Sequence, residues 1–342
     1  MSRAALSLRP RTVKASLEEL LTGLTARERW KNADSLSGSF LERVVIDDEP
    51  YVLKHLHVDD DWIQRAQGDL RTRPYTMWTS GLFDAFPACL DHTTVDVAAG
   101  LGRHGWGCAL LMRDVSSHMV DVGAGLIPLD QHLGFIDHMA RFHAHFWGFR
   151  DVIGLNPRGN LYFMLSPLMA ELEAGRGAPD PVPSMVPDGW RRLTQEAPSL
   201  AKVVLPLLDE PWPLVAAQAR GPRTLVHGDW KAGNLGTHPD GRTIVLDWAF
   251  PSEAPPAADL AWYIAVNCDL LPHPKEETID AYEEALARHG VDTAGWWEEQ
   301  LELALLGAAV LLGWSKTGAE LAWWEERVPR AARFLPDSPQ RD

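Results

Sequence analysis

The apolar pattern of this chain changes period once, and that switch limits what it can fold into. Up to about residue 113 the apolar residues fall mainly in short β-type runs. From about Asp130 they recur at three and four residues, as on the faces of helices. One β-type island, Thr224 to Trp248, interrupts the helical half. Strands first and helices afterwards predict an α+β chain. A length of 342 residues suits one large domain or two lobes that share a cleft.

In the first half, Ser16 and Glu19 form a capping box for a helix with Leu20, Leu21 and Leu24 on one face. Phe40–Ile46 and Tyr51–Leu56 flank an acidic turn and read as a hairpin, with Lys54 in its second strand. Residues 59–86 read as mostly helical, and 93–98 and 106–113 as two more strands. In the second half, Leu133, Ile136, Ala140, His143 and Trp147 mark a buried helix face. Residues 174–188, with several Pro and Gly, read as a surface loop. Segments 191–219, 257–271, 276–289 and 295–325 are helical in pattern, and the end from Pro336 reads as frayed.

The formal net charge of −15 argues against a nucleic-acid-coating role, which needs clustered Lys and Arg. The three cysteines, Cys89, Cys108 and Cys268, sit in apolar runs and form no disulfide or zinc pattern. No segment has the apolar length of a signal peptide core or a membrane span. These features point to a cytoplasmic protein that binds neither nucleic acid nor membrane.

The island carries the chemistry. His238-Pro239-Asp240-Gly241 is a turn between Leu235–Thr237 and Arg242–Leu246. Pairing Thr237 with Arg242 places Asn234 opposite Val245 and brings Asp229, Asn234 and Asp247 together. Two carboxylates and an amide are hard oxygen ligands suited to Mg²⁺, which takes its other ligands from phosphates and water. A carboxylate left free of the metal orients an acceptor hydroxyl, and Lys231 reaches toward the transferred group. This is the inventory of a phosphoryl-transfer site.

His227-Gly228-Asp229 with Asn234, followed by Leu246-Asp247-Trp248, resembles the aminoglycoside phosphotransferase and choline kinase superfamily. The resemblance implies a protein-kinase-like, two-lobed fold: an N-lobe of antiparallel strands plus helix over residues 1–114, and a mainly helical C-lobe with a catalytic hairpin over 115–342. It implies transfer of the γ-phosphoryl group of ATP or GTP to a hydroxyl of a small molecule such as an aminoglycoside, amino alcohol or sugar. Asp229 becomes the catalytic base, Asn234 and Asp247 the Mg²⁺ ligands, and Lys54 the partner of the α/β-phosphates. His227 braces the loop, and Lys231 completes the catalytic set. Leu111, Met112 and Arg113 fall in the segment that resembles the adenine-binding hinge, and Asp259 on the helix after the metal aspartate.

Two departures qualify the match. No Glu lies between Lys54 and the hinge, where protein kinases carry the partner of that lysine; Asp69 is the nearest substitute. The loop Ser37-Gly38-Ser39 lacks the three-glycine pattern, although its hydroxyls and N–H groups suit phosphates. The missing Glu motivates an alternative of another class, a nucleotide-binding regulator without full activity.

Other signals yield to plainer readings. Gly100-Leu101-Gly102-Arg103-His104-Gly105 matches a dinucleotide fingerprint, but a strand follows it, so a hairpin turn is the better reading. His138, His143 and His145 lack metal-ligand spacing. The tryptophans near the C-terminus, Trp296, Trp297, Trp314, Trp323 and Trp324, read first as packing anchors and second as an aromatic wall for an acceptor.

Overall fold

The computed structural model describes residues 8–30, 37, 39–177 and 180–336. The strands-first, helices-after order holds. A single turn of helix, α1 (Leu17–Leu20), leads into β1 (Leu24–Trp30), β2 (Phe40–Ile46) and β3 (Glu49–Leu56). Two helices follow, α2 (Trp62–Gln67) and α3 (Arg73–Ser80), then β4 (Leu90–Asp91), β5 (Thr94–Leu101) and β6 (Gly107–Arg113). The antiparallel sheet has the order β1-β2-β3-β6-β5.

The capping box forms, but its helix stops early. Ser16 Oγ accepts from the Glu19 N–H at 3.2 Å, and the Glu19 carboxylate takes the Ala15 N–H at 2.9 Å. Gly23, at φ +85°, then turns the chain, so Leu24 starts a strand instead of extending the helix. Charged residues fill that strand, as suits a sheet edge. The β2–β3 turn is Asp47-Asp48, both with positive φ (51° and 66°), which matches the twist of a tight hairpin. Gly100–Gly105 joins β5 to β6 and is followed by a strand, as expected of a hairpin.

The sheet buries both faces. Leu20, Leu21, Val44, Leu53, Ala98, Ala109 and Leu111 form a small core under α1. The opposite face, with Leu56, Val97, Cys108 and Leu110, joins Trp62, Met77 and Trp78 in the main core.

The second half opens with α4 (Leu129–His145), α5 (Arg158–Phe163), α6 (Pro167–Ala174), α7 (Val182–Glu196), α8 (Pro198–Asp209) and α9 (Trp212–Gln218). The island follows as β7 (Thr224–Val226), β8 (Leu235–Thr237), β9 (Thr243–Val245) and β10 (Ser252–Ala254). Helices α10 (Ala257–Val266), α11 (Lys275–Arg288), α12 (Trp297–Leu312) and α13 (Gly318–Arg327) complete it. Nearly every residue of α10 and α12 is buried, which makes this pair the centre of the helical half.

Three expectations change here. Leu133 is 40% exposed, although Ile136, Ala140 and His143 are buried as the period requires. The supposed loop at 174–188 holds most of two turns of α7. Pro183 sits in the first turn, where its missing N–H costs nothing, and Val186, Trp190 and Leu193 drive burial. The hairpin register is shifted by one: Thr237 pairs with Thr243, not Arg242. Gly241, at φ +87°, adds a left-handed residue that lets His238 N–H reach the Arg242 carbonyl at 2.9 Å. The frayed end expected after Pro336 lies outside the described residues.

Segments from the first half reach into the second. β4 pairs in parallel with β9, in a sheet of order β4-β9-β8. Arg65 of α2 pairs with Glu173 of α6 at 2.8 Å, and Gln67 takes hydrogen bonds from Asn156 and Asn160.

Candidate active site

The island folds around a buried scaffold. β7 ends at His227, whose ring is fully buried. Its Nδ1 accepts from the Asp229 N–H at 3.1 Å, so Nε2 carries the proton and donates to the Leu246 carbonyl at 3.0 Å. His227 thereby ties the loop to the strand that leads to Asp247. Burial holds its pKa below the ordinary histidine value despite nearby carboxylates, which keeps the ring neutral.

Asp259, in the first turn of α10, holds the same loop from below. Its Oδ2 accepts from the His227 N–H and its Oδ1 from the Gly228 N–H, each at 2.7 Å. His143 Nε2 adds a third contact at 3.1 Å. Burial pushes the Asp259 pKa up, but His143, His227 and the loop N–H groups outweigh that and hold it below the ordinary value. Gly228 is required here: φ is +81°, and a Cβ would lie 2.3 Å from the Phe250 carbonyl oxygen.

Asp229 points its carboxylate at three donors. Trp262 Nε1 donates to Oδ1 at 2.9 Å, and Asn234 Nδ2 to Oδ2 at 2.8 Å. Lys231 Nζ lies 3.2 Å from Oδ2. Burial pushes the Asp229 pKa up, with Asp247 adding to the rise and Lys231 only partly opposing it. Asn234 spends its amide nitrogen on Asp229, including its carbonyl at 3.0 Å, which leaves the amide oxygen as the atom that could meet a cation. The Leu246 N–H bonds the Asn234 carbonyl at 2.9 Å, so Asn234 lies opposite Leu246, not Val245.

Asp247 sits at φ +58°, a left-handed conformation uncommon outside glycine and suited to aiming a side chain out of a strand. Its Oδ1 meets Lys54 Nζ of β3 at 2.8 Å, across the cleft. About a third of its side chain (34%) stays exposed. Burial pushes its pKa up, but Lys54 and then Lys231 overcome it and hold the group below the ordinary carboxylate value. Asp229 and Asp247 are therefore driven in opposite directions, the pattern of carboxylates with different tasks.

The donor set fits a hard divalent cation: one ionised carboxylate, one amide oxygen and a second carboxylate beside them. Among the described residues no three His, Cys, Asp or Glu side chains gather as a metal cage. Mg²⁺ is suited to such a sparse set, because it relies on one or two carboxylates plus phosphate and water.

The remaining sequence candidates fall as follows. Ser37 and Ser39 bond each other through their hydroxyls, and Ser39 donates to Asp61 Oδ2 at 2.8 Å. Gly38 lies outside the described residues. Leu111 and Met112 lie inside β6, flanked by β3 and β5, and the Arg113 N–H bonds the Thr93 carbonyl at 3.1 Å. Asp69 is engaged by Arg73 through an ion pair and the Arg73 N–H, the latter at 2.9 Å. Sequence reasoning missed Trp262, Tyr282 (bonded to His143 Nδ1) and Asp61. A tryptophan three residues after Asp259, one helical turn on, was the available signal for the first.

Residues 131–292 match the model of the phosphotransferase enzyme family. That segment contains the whole island and the Asp259 helix. Over those residues, a little under half of the chain, the sequence is similar to that family. Similar solved structures include choline kinase LicA from Streptococcus pneumoniae, at 14% identity over 93% of this chain and 95% of that one, TM-score 0.49. A thermostable mutant of aminoglycoside phosphotransferase APH(4)-Ia, solved with ADP and hygromycin B, also matches at 14% over 93% and 97%, TM-score 0.49. APH(3'')-Id from Streptomyces rimosus, solved with ADP and streptomycin, matches at 18% over 81% and 94%, TM-score 0.48. No curated protein matches the chain by sequence. No helix among the described residues is long and apolar enough to cross a membrane.

Proposed function

We propose that this chain transfers the γ-phosphoryl group of ATP or GTP to a hydroxyl of a small molecule. In this reading residues 1–114 supply most of the nucleotide site and 115–342 the catalytic and acceptor site. The observation that carries it is the Lys54–Asp247 contact at 2.8 Å, which joins a strand lysine of one half to the island of the other. This supports a reading in which Lys54 binds phosphate beside a residue that would hold the metal.

Asp229 accepts the proton of the acceptor hydroxyl as its oxygen bonds the γ-phosphorus and the bond to the β-phosphate oxygen breaks. ATP and alcohol become ADP, phosphoester and a proton. The raised pKa of Asp229 suits a base that must take that proton. Trp262 and Asn234 fix its carboxylate, and Lys231 stands where it neutralises charge on the transferred group. Asn234 and Asp247 would hold a Mg²⁺ ion, which would supply charge neutralisation on the phosphates. Asp247 is followed by only a short strand before α10, which leaves little room for a peptide-docking segment and favours a small acceptor.

The test is thermal unfolding with ATP or GTP, with and without Mg²⁺, followed by an acceptor screen. A Mg²⁺-dependent rise in Tm that Asp247→Ala weakens is expected. Asp229→Asn should lose transfer and keep nucleotide binding. Full turnover in Asp229→Asn would remove the base from the scheme.

A further inference from the structure

The fold treats the two oxygens of Asp229 differently. An ionised carboxylate offers about four lone-pair sites, two on each oxygen. Two donors meet on Oδ2: Asn234 Nδ2 at 2.8 Å and Lys231 Nζ at 3.2 Å. Oδ1 takes one, the indole N–H of Trp262 at 2.9 Å. Oδ1 therefore keeps a lone pair for an incoming proton. Its donor is neutral, whereas Oδ2 faces an ammonium group that makes it the less basic oxygen.

Trp262 is itself firmly held. It sits on α10, one turn after Asp259, and that helix grips the catalytic loop at three points. Asp259 takes the His227 and Gly228 N–H groups, each at 2.7 Å. Trp262 donates to the Asp229 side chain. Asn267, just past the helix, accepts the Ala232 N–H on Oδ1 at 2.9 Å, and its own amide nitrogen is anchored on the Tyr263 carbonyl at 2.9 Å. The indole is buried, and the Phe250 ring meets it edge-on, 6.4 Å between centroids. The terminal torsion of an aspartate is broad, so bonds to one oxygen leave the other able to swing. The Trp262 N–H stops that swing, and it refers the carboxylate to the same helix that holds the loop backbone.

We propose that Oδ1 of Asp229 is the atom that takes the proton of the acceptor hydroxyl, and that Trp262 is the positioning residue that aims it. The proposal rests on the phosphotransferase reading above and carries it to a single atom. As the acceptor oxygen bonds the γ-phosphorus, its O–H bond breaks and the proton passes to Oδ1. The bond from the γ-phosphorus to the bridging oxygen breaks, and its electron pair leaves with ADP. Lys231, on the other oxygen, is off the path of the proton and can follow the transferred group.

The first readout needs no ligand. In NMR spectra of the indole N–H groups, the Trp262 signal is assigned by its loss in Trp262→Phe. It should move in Asp229→Asn, where a charged acceptor becomes a neutral one. An unmoved signal overturns the proposal. The second readout is turnover of Mg²⁺-ATP with water in the place of the acceptor. It compares wild type, Trp262→Phe and a protein with the benzothiophene analogue of tryptophan in place of Trp262, which keeps the ring shape and lacks the N–H. Both altered proteins should lose roughly ten- to a hundredfold in kcat, the worth of one charge-assisted hydrogen bond. Their Kd for Mg²⁺-ATP should not change, because the indole bonds the base and not the nucleotide. An analogue protein with wild-type kcat sinks the Oδ1 assignment alone. A fall in kcat matched by an equal fall in Mg²⁺-ATP affinity makes Trp262 a packing residue and overturns the proposal as well. Wild type without Mg²⁺-ATP turnover, on water or on any screened hydroxyl, sinks the phosphotransferase reading and this proposal together.

Discussion

Asp259→Asn removes one charge and exchanges one oxygen for an NH₂ group, in a side chain with no exposed surface. Three N–H donors converge on its two oxygens: His227 and Gly228 at 2.7 Å and His143 at 3.1 Å. In the better orientation the amide oxygen keeps His227 and His143, and the NH₂ faces the Gly228 N–H. One charge-assisted bond is then lost, about 1.5–3 kcal/mol, and two buried donors are left opposed, about 1–3 kcal/mol more. The other orientation opposes two donors to the NH₂ and is worse. We expect a loss of roughly 3–5 kcal/mol, in line with breaking a buried charged network. Urea unfolding should show a lower midpoint with little change in slope. A loss under about 1 kcal/mol would refute the reasoning, because it would mean that the loop N–H groups find other partners at little cost.

Gly228→Ala should cost roughly 2–4 kcal/mol in urea unfolding, because the site combines φ +81° with a Cβ 2.3 Å from the Phe250 carbonyl. Lys54→Met should abolish the Mg²⁺-nucleotide rise in Tm and lower ligand-free stability, since Asp247 loses its 2.8 Å counter-ion. Burial holds fully buried His132 at a pKa of about 4, below its unfolded value of about 6.5, so the unfolded chain binds the extra proton first. Stability should therefore fall as pH drops from about 6.5 to about 4, by on the order of 3 kcal/mol from this residue. His132→Gln should flatten that limb in unfolding curves taken across the range.

The gathering of the island's polar side chains was legible because it is local. His227, Asp229, Asn234 and Asp247 flank one hairpin, between the end of β7 and just past β9, and their spacing survives an error of one residue in register. The predicted pairing of Thr237 with Arg242 missed the left-handed Gly241, and the true pair is Thr237 with Thr243. Such a slip would invert a long strand. Here Asp247 lies just past β9, where its own positive φ, not the strand alternation, aims the side chain. The helix at 182–196 was hidden for a related reason: proline and glycine speak against it locally, while Trp190 and Leu193 decide it through tertiary burial.

What sequence could not supply is the choice among equivalent carboxylates. Asp61 and Asp69 both follow Lys54 within one helical stretch, and nothing in their own neighbourhoods ranks them. The ranking comes from distant or folded partners. Arg73 lies four residues from Asp69 and claims it once α3 forms. Asp61 is engaged by Ser39, from the loop before β2, and by the Gln64 N–H of its own helix. Arg65 ties the same helix to Glu173, more than a hundred residues away. A lysine's partner is thus fixed by which acids the rest of the fold leaves available. Departures from a motif are therefore best resolved by finding what each candidate acid is already bonded to, before any loss of function is inferred from a missing residue.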